Sequence, residues 1–487
     1  MKKFLPKAIA LAVSLGAAAS ANATNVNSDG LGEVLLYPAY TVQEGNDTAI
    51  SVTNTTNQIK AVKVRFLEGM NSQEVLDFNL YLSPFDVWNG VVVRTDAGAK
   101  LVTQDKSCTA PAIPAGGVEF RNLQYAGTDY AAGKGGPQGT DRTRIGHVEL
   151  IEMGVVDPQF LLAPGVNAAS AIVHTAAGVP GNCAAVSNAF KVGGIWAQNV
   201  DAGISTPVGG LYGVGTVTDV NEGAQIGYDA TALADFSVAP SLHQLPGSLL
   251  PSLNNGVSYA TFSDGTAADF PDSVDAVSAV LAKTALYNEF ATESGVDAKS
   301  DWVVTFPTKY EYVNVPAANL VADQPFVNKW SAAVVGTVAG SSCQPIGLQY
   351  WDREEQSQAA GDIDFSPTPV AGGIALCFET NVISFDDSNV LAGTGDYVHF
   401  KFPVERDAGW AQITFTDAAN VLTGVNGTVT NGVFAPTAGN VNVFGLPAIG
   451  FSMIKVSNGE LQVDGKSVLS NYSAAWDHKA STLRVRP

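Results

Sequence analysis

Short stretches of apolar residues at period two dominate the first third of the chain. Glu33–Tyr40, Thr48–Asn54, Ala61–Glu68 and Leu76–Leu82 follow one another closely, and in Ala61–Glu68 Val62, Val64 and Phe66 alternate with Lys63, Arg65 and Leu67. That alternation predicts half-buried strands. Gly45-Asn46-Asp47 and Ser83-Pro84-Phe85-Asp86 punctuate them as turns, and Val87–Thr95 and Ile145–Met153 complete six or seven strands. The count and spacing predict an antiparallel, immunoglobulin-like sandwich. Pro38, which cannot donate to a ladder, predicts an edge or a bulge in the first strand.

The pattern then changes. Gln104–Arg144 is a Gly-, Pro- and Ala-rich insertion carrying Cys108, with one more strand predicted at Val118–Tyr125. Ala168–Ala177 and Cys183–Phe190 read as short helices, and Gly209–Tyr228 as a hairpin turning at Asn221-Glu222-Gly223. Pro240–Asp269 reads as a connector crossing the surface. Ser273–Phe290 is the strongest helical pattern, with Asp272 as N-cap and Val274, Val277 and Leu281 on one face. Strands return at Asp301–Phe306, Tyr310–Val315, Ala375–Phe385, Tyr397–Pro403, Trp410–Phe415, Ala448–Val456 and Leu461–Leu469. Asn426-Gly427, Asn431-Gly432, Asn458-Gly459 and Asp464-Gly465 are hairpin signals. The expected fold is mainly β: two antiparallel β-sandwich regions, residues 24–155 and 299–487, flank a mixed α/β connecting region at 156–298 with a few short helices.

Residues 1–23 are set apart from this fold. Lys2, Lys3 and Lys7 precede an apolar run, and Ala21-Asn22-Ala23 matches the cleavage pattern of a secretory signal peptide. Its removal takes the formal charge of the 487-residue chain from −20 to −23. No later apolar run is long enough for a transmembrane helix, and Arg484-Val485-Arg486-Pro487 lacks the aromatic closing strand of an outer-membrane barrel. Only 15% of residues are charged, and acids outnumber bases 46 to 26, so a nucleic-acid partner is excluded on charge. Cys108, Cys183, Cys343 and Cys377 show no metal-like spacing. Four cysteines allow three connectivities, of which the chain-local one, Cys108–Cys183 with Cys343–Cys377, is the simplest.

Catalytic signatures are missing: there is no G-x-S-x-G, no H-E-x-x-H and no EF-hand loop. Asp464-Gly465-Lys466-Ser467 reads as a type I′ hairpin rather than a phosphate loop. His147, His174, His243, His399 and His478 are scattered. The densest polar cluster is Asp352, Glu354 and Glu355 around Arg353, followed by Asp362 and Asp364; its carboxylates are the candidate calcium ligands. Trp88, Trp302, Trp410 and Trp476 are read as core packing.

Several segments together resemble a family of exported proteins of Gram-negative bacteria, largely uncharacterised and sometimes labelled cell-surface proteins. They are Leu35–Tyr40 (LLYPAY), Leu82–Trp88 (LSPFDVW), Glu149–Gly154 (ELIEMG), Asp301–Lys309 (DWVVTFPTK), Asp352–Glu355 (DREE) and Asn381–Phe385 (NVISF). The resemblance implies one integrated architecture and a place in the cell envelope or outside it. The resulting expectation is an exported cell-surface or extracellular structural or interaction protein, acting by binding or assembly with envelope proteins or with itself. The alternatives are a secreted or periplasmic ligand-binding protein, calcium-assisted or carbohydrate-directed, and then an extracellular hydrolase.

Overall fold

In the computed structural model the described residues are 23–127, 136–313, 324–326, 340–355, 357–359, 374–404, 406–415, 420–430, 433–457, 462–468 and 471–486. Residues 1–22 lie outside them, as do Asp362 and Asp364. The protein is mainly β and its sheets are almost wholly antiparallel.

The first half is built from β1 (Val34–Thr41), β2 (Asp47–Asn54), β3 (Ile59–Glu68), β4 (Glu74–Leu82), β5 (Val87–Arg94), β6 (Ala99–Val102), β7 (Cys108–Ala110) and β8 (Ile145–Val156). After helices α1 (Ala168–Ile172) and α2 (Cys183–Ala189) come β9 (Leu211–Asp219), β10 (Ala224–Asp229) and β11 (Thr231–Ala234). One sheet runs β11-β1-β8-β3-β4-β7 and the other β10-β9-β2-β5-β6. Val62, Val64, Phe66, Phe78, Leu80 and Leu150 of the first share a core with Ile50, Val52, Trp88 and Leu101 of the second. The strands β9, β10 and β11 therefore complete the first two sheets, and the expected boundary at residue 155 is corrected. These strands lie far from their partners in sequence, so strand order could not reveal it.

Pro38 sits in an interior strand. Its missing donor is absorbed by a bulge, since the β1–β8 register slips between Gly146 and Val148. A second bulge between Glu152 and Gly154 uses the positive φ of Gly154, where an added Cβ would lie 2.3 Å from the Ser205 carbonyl oxygen.

The second half contains β12 (Tyr259–Thr261), β13 (Ala267–Asp269), α3 (Ser273–Leu281), β14 (Ala285–Ala291), β15 (Ala298–Thr305), α4 (Lys309–Val313), β16 (Gln344–Asp352) and β17 (Thr380–Phe385). It continues with β18 (His399–Phe402), β19 (Ala408–Thr414), β20 (Val421–Thr430), β21 (Val433–Phe444), β22 (Ile449–Ser457), β23 (Asn471–Asp477), β24 (Lys479–Ser481) and β25 (Leu483–Val485). Three sheets result: β18-β17-β15-β22-β23, β16-β19-β14-β24, and β12-β13-β20-β21-β25. Phe290, Trp302, Phe385, Phe402, Leu348 and Ile413 fill the space between the first two.

Several expectations are overturned here. Asp272 caps α3 as expected, accepting from the Asp275 amide at 3.1 Å. The helix nevertheless stops at Leu281, and Ala285–Ala291 is a strand between β19 and β24. Leu286 and Phe290 point inward at period two, so pairing outweighs the helical pattern. Tyr310–Val313 belongs to α4 instead of a strand, because the Tyr312 hydroxyl bonds Asp275 Oδ1 (2.7 Å) and Ser278 Oγ (2.9 Å) on α3. Pro240–Asp269 is not a surface connector: Leu242, His243 and Leu253 are buried, and β12–β13 adds to β20. Asn426-Gly427 lies inside β20 at a bulge, whereas Thr430 faces Val433 across the two residues 431 and 432. Asp464 and Gly465 both have positive φ, as a type I′ turn requires.

The halves are not separate bodies. Val303, Val382, Phe451 and Met453 of the second half belong to the same core as the first-half strands. Main-chain bonds from Glu379 to Met70 (3.2 Å) and from Thr380 to Gly69 (2.9 Å) close the seam. The bridges Cys108–Cys183 and Cys343–Cys377 are both formed, and the first ties β7 to α2.

Candidate interaction surface

The acidic stretch singled out in the sequence is dispersed. Asp352 is buried at the end of β16, where it receives Arg406 Nε at 3.3 Å and the Glu354 amide at 3.0 Å. Arg353 turns to Glu293 at 2.8 Å, and Glu354 and Glu355 are exposed. Among the described residues no three His, Cys, Asp or Glu side chains converge on a point that could hold a metal ion.

The histidines do not assemble either. His174 meets Ser83 and Asp86, but Ser83 Oγ (2.8 Å) and Asp86 Oδ2 (3.5 Å) both address Nδ1. A relay needs the acid and the hydroxyl on opposite ring nitrogens, so this trio is a structural knot. His243 lies buried between Tyr81 and Trp196, and burial pulls its pKa down to about 4. His147 is buried, and desolvation with the Arg65 charge lowers it to about 3.

The charged chemistry of the chain lies elsewhere, on both faces of the sheet that holds β3: Lys60 and Glu152 share the inner face of Val62 and Leu82, whereas Lys63 and Arg65 stand on the face that sequence alternation assigns to water. Lys60 meets Glu152 at 2.7 Å with neither side chain exposed, and the Glu152 carboxylate also accepts from the amides of Val208 (3.2 Å) and Gly209 (2.8 Å). Lys63 pairs with Asp77. Arg65 reaches Glu74 (2.8 Å) and Glu149 (2.7 Å), and burial still raises Glu149 to about 7. Arg142 binds Glu68 at 2.6 Å through Nε and Asn71 through Nη2, under the Tyr125 ring. Over the Lys63 face, the Gly247 amide donates to Asp77 (3.2 Å) and Asn79 donates to the Gln244 carbonyl (2.8 Å). Each of these carboxylates and cations already has an internal partner, and the pairs made by Lys60, Lys63 and Arg65 join β3 to its neighbours β8 and β4.

Two tryptophans depart from expectation. Trp88 and Trp302 are buried as expected, but Trp410 is 39% exposed and Trp476 51% exposed. Trp410 stacks on Trp351 across β19 and β16 with ring centroids 4.0 Å apart, a cross-strand pair on an outer sheet face. Period two places Trp410 opposite inward Ala411 and Ile413, a signal present in the sequence. A cleft of about 730 Å³ beside β4, lined by Leu76, Ile113, Pro114 and Leu249, has no convergent catalytic groups.

The most distinctive surface is the β20–β21 hairpin. Residues 421–444 contain no Asp, Glu, Lys, Arg or His, in a chain of net charge −20. β25 covers β21 only at Asn442–Phe444. From Val433 to Asn440 no strand pairs with that side among the described residues, and Ala435–Asn440 is exposed. Phe434 stacks on Tyr259 (5.1 Å), holding the hairpin against β12. Such an edge lacks the charges that normally guard it; Pro436 and the out-of-register residues 437–439 beside it interrupt the strand. No family model, curated protein or solved structure matches the chain.

Proposed function

We propose that this is an exported cell-surface or extracellular structural protein that acts by binding and assembly, and that its first partner is another copy of itself. The observation that carries the reading is the charge-free hairpin with its open β21 edge. In a chain this acidic, an uncharged edge is where close approach of a second molecule costs least, and strand addition supplies main-chain hydrogen bonds. The two disulfides suit an oxidising compartment, and the resemblance to exported cell-surface proteins points the same way. The buried ion pairs are structural rather than catalytic in this reading.

The test is Thr437→Lys, which places a charge on the exposed edge and leaves the core untouched. Sedimentation across a range of concentrations should show association of the native chain and at least ~10-fold weaker association of the variant. Equal association of the two, or turnover of a hydrolase substrate by the native protein, would overturn the proposal.

A further inference from the structure

Asp301 is a buried carboxylate without a cation. It stands on β15, directly opposite Ser384 of β17 and Met453 of β22, and it is fully buried. Glu68, Glu149 and Glu152 each meet an arginine or a lysine, but no Lys, Arg or His of the described residues pairs with Asp301. A buried charge left uncompensated in this way is costly.

One of its oxygens is accounted for. Oδ2 accepts from the amides of Val390 (2.8 Å) and Leu391 (2.7 Å), in the loop that follows β17. The first half grips the same loop: Asn46 Nδ2 donates to the Val390 carbonyl (2.7 Å) and Thr41 Oγ1 to the Leu391 carbonyl (2.8 Å). Asp301 therefore sits at the joint between the halves.

The other oxygen is not accounted for. Burial raises the Asp301 carboxyl, and the Leu391 amide with the nearby Ser388 and Ser384 hydroxyls opposes it. Both serines are buried, yet neither hydroxyl oxygen closes a hydrogen bond, and neither does Asp301 Oδ1. Asn389 Oδ1, on the residue between Ser388 and Val390, is a fourth buried oxygen without a partner. Buried oxygens in this state call for a bound species. The local amides are spent on Oδ2, so a carboxylate, two hydroxyls and an amide carbonyl are left. Oxygen donors alone are the ligand chemistry of a hard cation.

The surrounding charges draw such an ion in. Burial, Asp396 and Asp301 raise the Glu44 carboxyl, with Arg94 opposing them, so three carboxylates share this corner of the molecule. Asp387, next to Ser388, is exposed, which puts the site just beneath the surface.

We propose that Asp301 Oδ1, Ser384 Oγ, Ser388 Oγ and Asn389 Oδ1 bind a calcium ion that ties the loop after β17 to β15. Main-chain carbonyls and water complete its oxygen shell. One carboxylate among neutral donors sets an affinity in the range of extracellular modules, about 10⁻⁴–10⁻³ M. The site is separate from the β21 edge and does not depend on the assembly reading.

The test is calorimetric titration of the full chain, stripped with a chelator, with calcium chloride. The native chain should show a saturable site with a Kd of about 10⁻⁴–10⁻³ M. Ser384→Ala with Ser388→Ala keeps the carboxylate and its two amide bonds, and should weaken binding at least ~10-fold. Asp301→Asn should abolish it, and if that variant does not fold, the double serine variant decides. A native chain with no saturable calcium site, as when water alone fills the space, would overturn the proposal. So would a Kd unchanged in the double serine variant.

Discussion

Replacing Lys60 by Met tests whether the end of the inner face of the β3–β8 sheet is dry. Lys60 and Glu152 are both fully buried at 2.7 Å, and the carboxylate also accepts two amides from residues 208 and 209. Removing the ammonium leaves an unpaired carboxylate in a low-dielectric site, which costs about 3–5 kcal/mol. For a body of this size that is a fall of about 3–5 °C in melting temperature. The double variant Lys60→Met with Glu152→Gln removes both charges and keeps an acceptor for Gly209, so it should recover most of the loss. The single-variant penalty also depends on pH. Burial already raises the Glu152 pKa, and loss of Lys60 raises it further. A raised carboxyl contributes stability present at low pH and lost as pH rises through its folded value, so the penalty grows as pH rises above the ordinary carboxylate range. Thermal melts of the three variants across that range are the assay. A cost under about 1 kcal/mol for Lys60→Met at neutral pH would refute the reasoning, because an exposed pair is worth no more than that.

The native chain should itself lose stability from about pH 6.5 to 8.5: burial holds Glu33 and Glu379 near 8 and Glu149 near 7, so stability present below their unfolded values is lost as they ionise. His147, His243 and His478, lowered to about 3, 4 and 4, act in the opposite sense. Their stability is present above about pH 6.5 and lost as pH falls toward those values, so melting temperature should peak between the two limbs. A melting temperature that rises steadily through pH 8.5 would contradict this. Replacing both cysteines of Cys108–Cys183 by Ala should cost about 4.5 kcal/mol by loop entropy, against about 3.8 kcal/mol for Cys343–Cys377, since the loops span 75 and 34 residues. Urea midpoints read the order, and a reversed order would count against it.

Much of the local structure was legible in the chain because local rules govern it. The alternation of Val62, Val64 and Phe66, the Asp272 cap and the Asp464-Gly465 turn all act within a few residues. Where pairing competes with local preference, the longer-range term prevailed: Ala285–Ala291 left the helix that Ser273–Leu281 begins, and Asn426-Gly427 was threaded into a strand. The candidate cluster at Asp352 looked dense in sequence, yet its side chains turn to Arg406, to Glu293 and to solvent.

By itself, then, the sequence determined a β-rich, acidic chain with strands at known places, a leader pattern, four cysteines and a hairpin free of charge. Only tertiary structure decided which faces those strands bury. Lys63 and Arg65 alternate with Val62, Val64 and Phe66 as solvent-facing positions do, yet both are paired inside, and Lys60, on the apolar face itself, is buried against Glu152. Period two reports that a strand has two different faces; it carries no information about what is laid over the second one. The same holds for β21. Its composition is plain in the sequence, but its standing at a sheet edge is a property of the assembled topology, set by where β25 stops short of covering it.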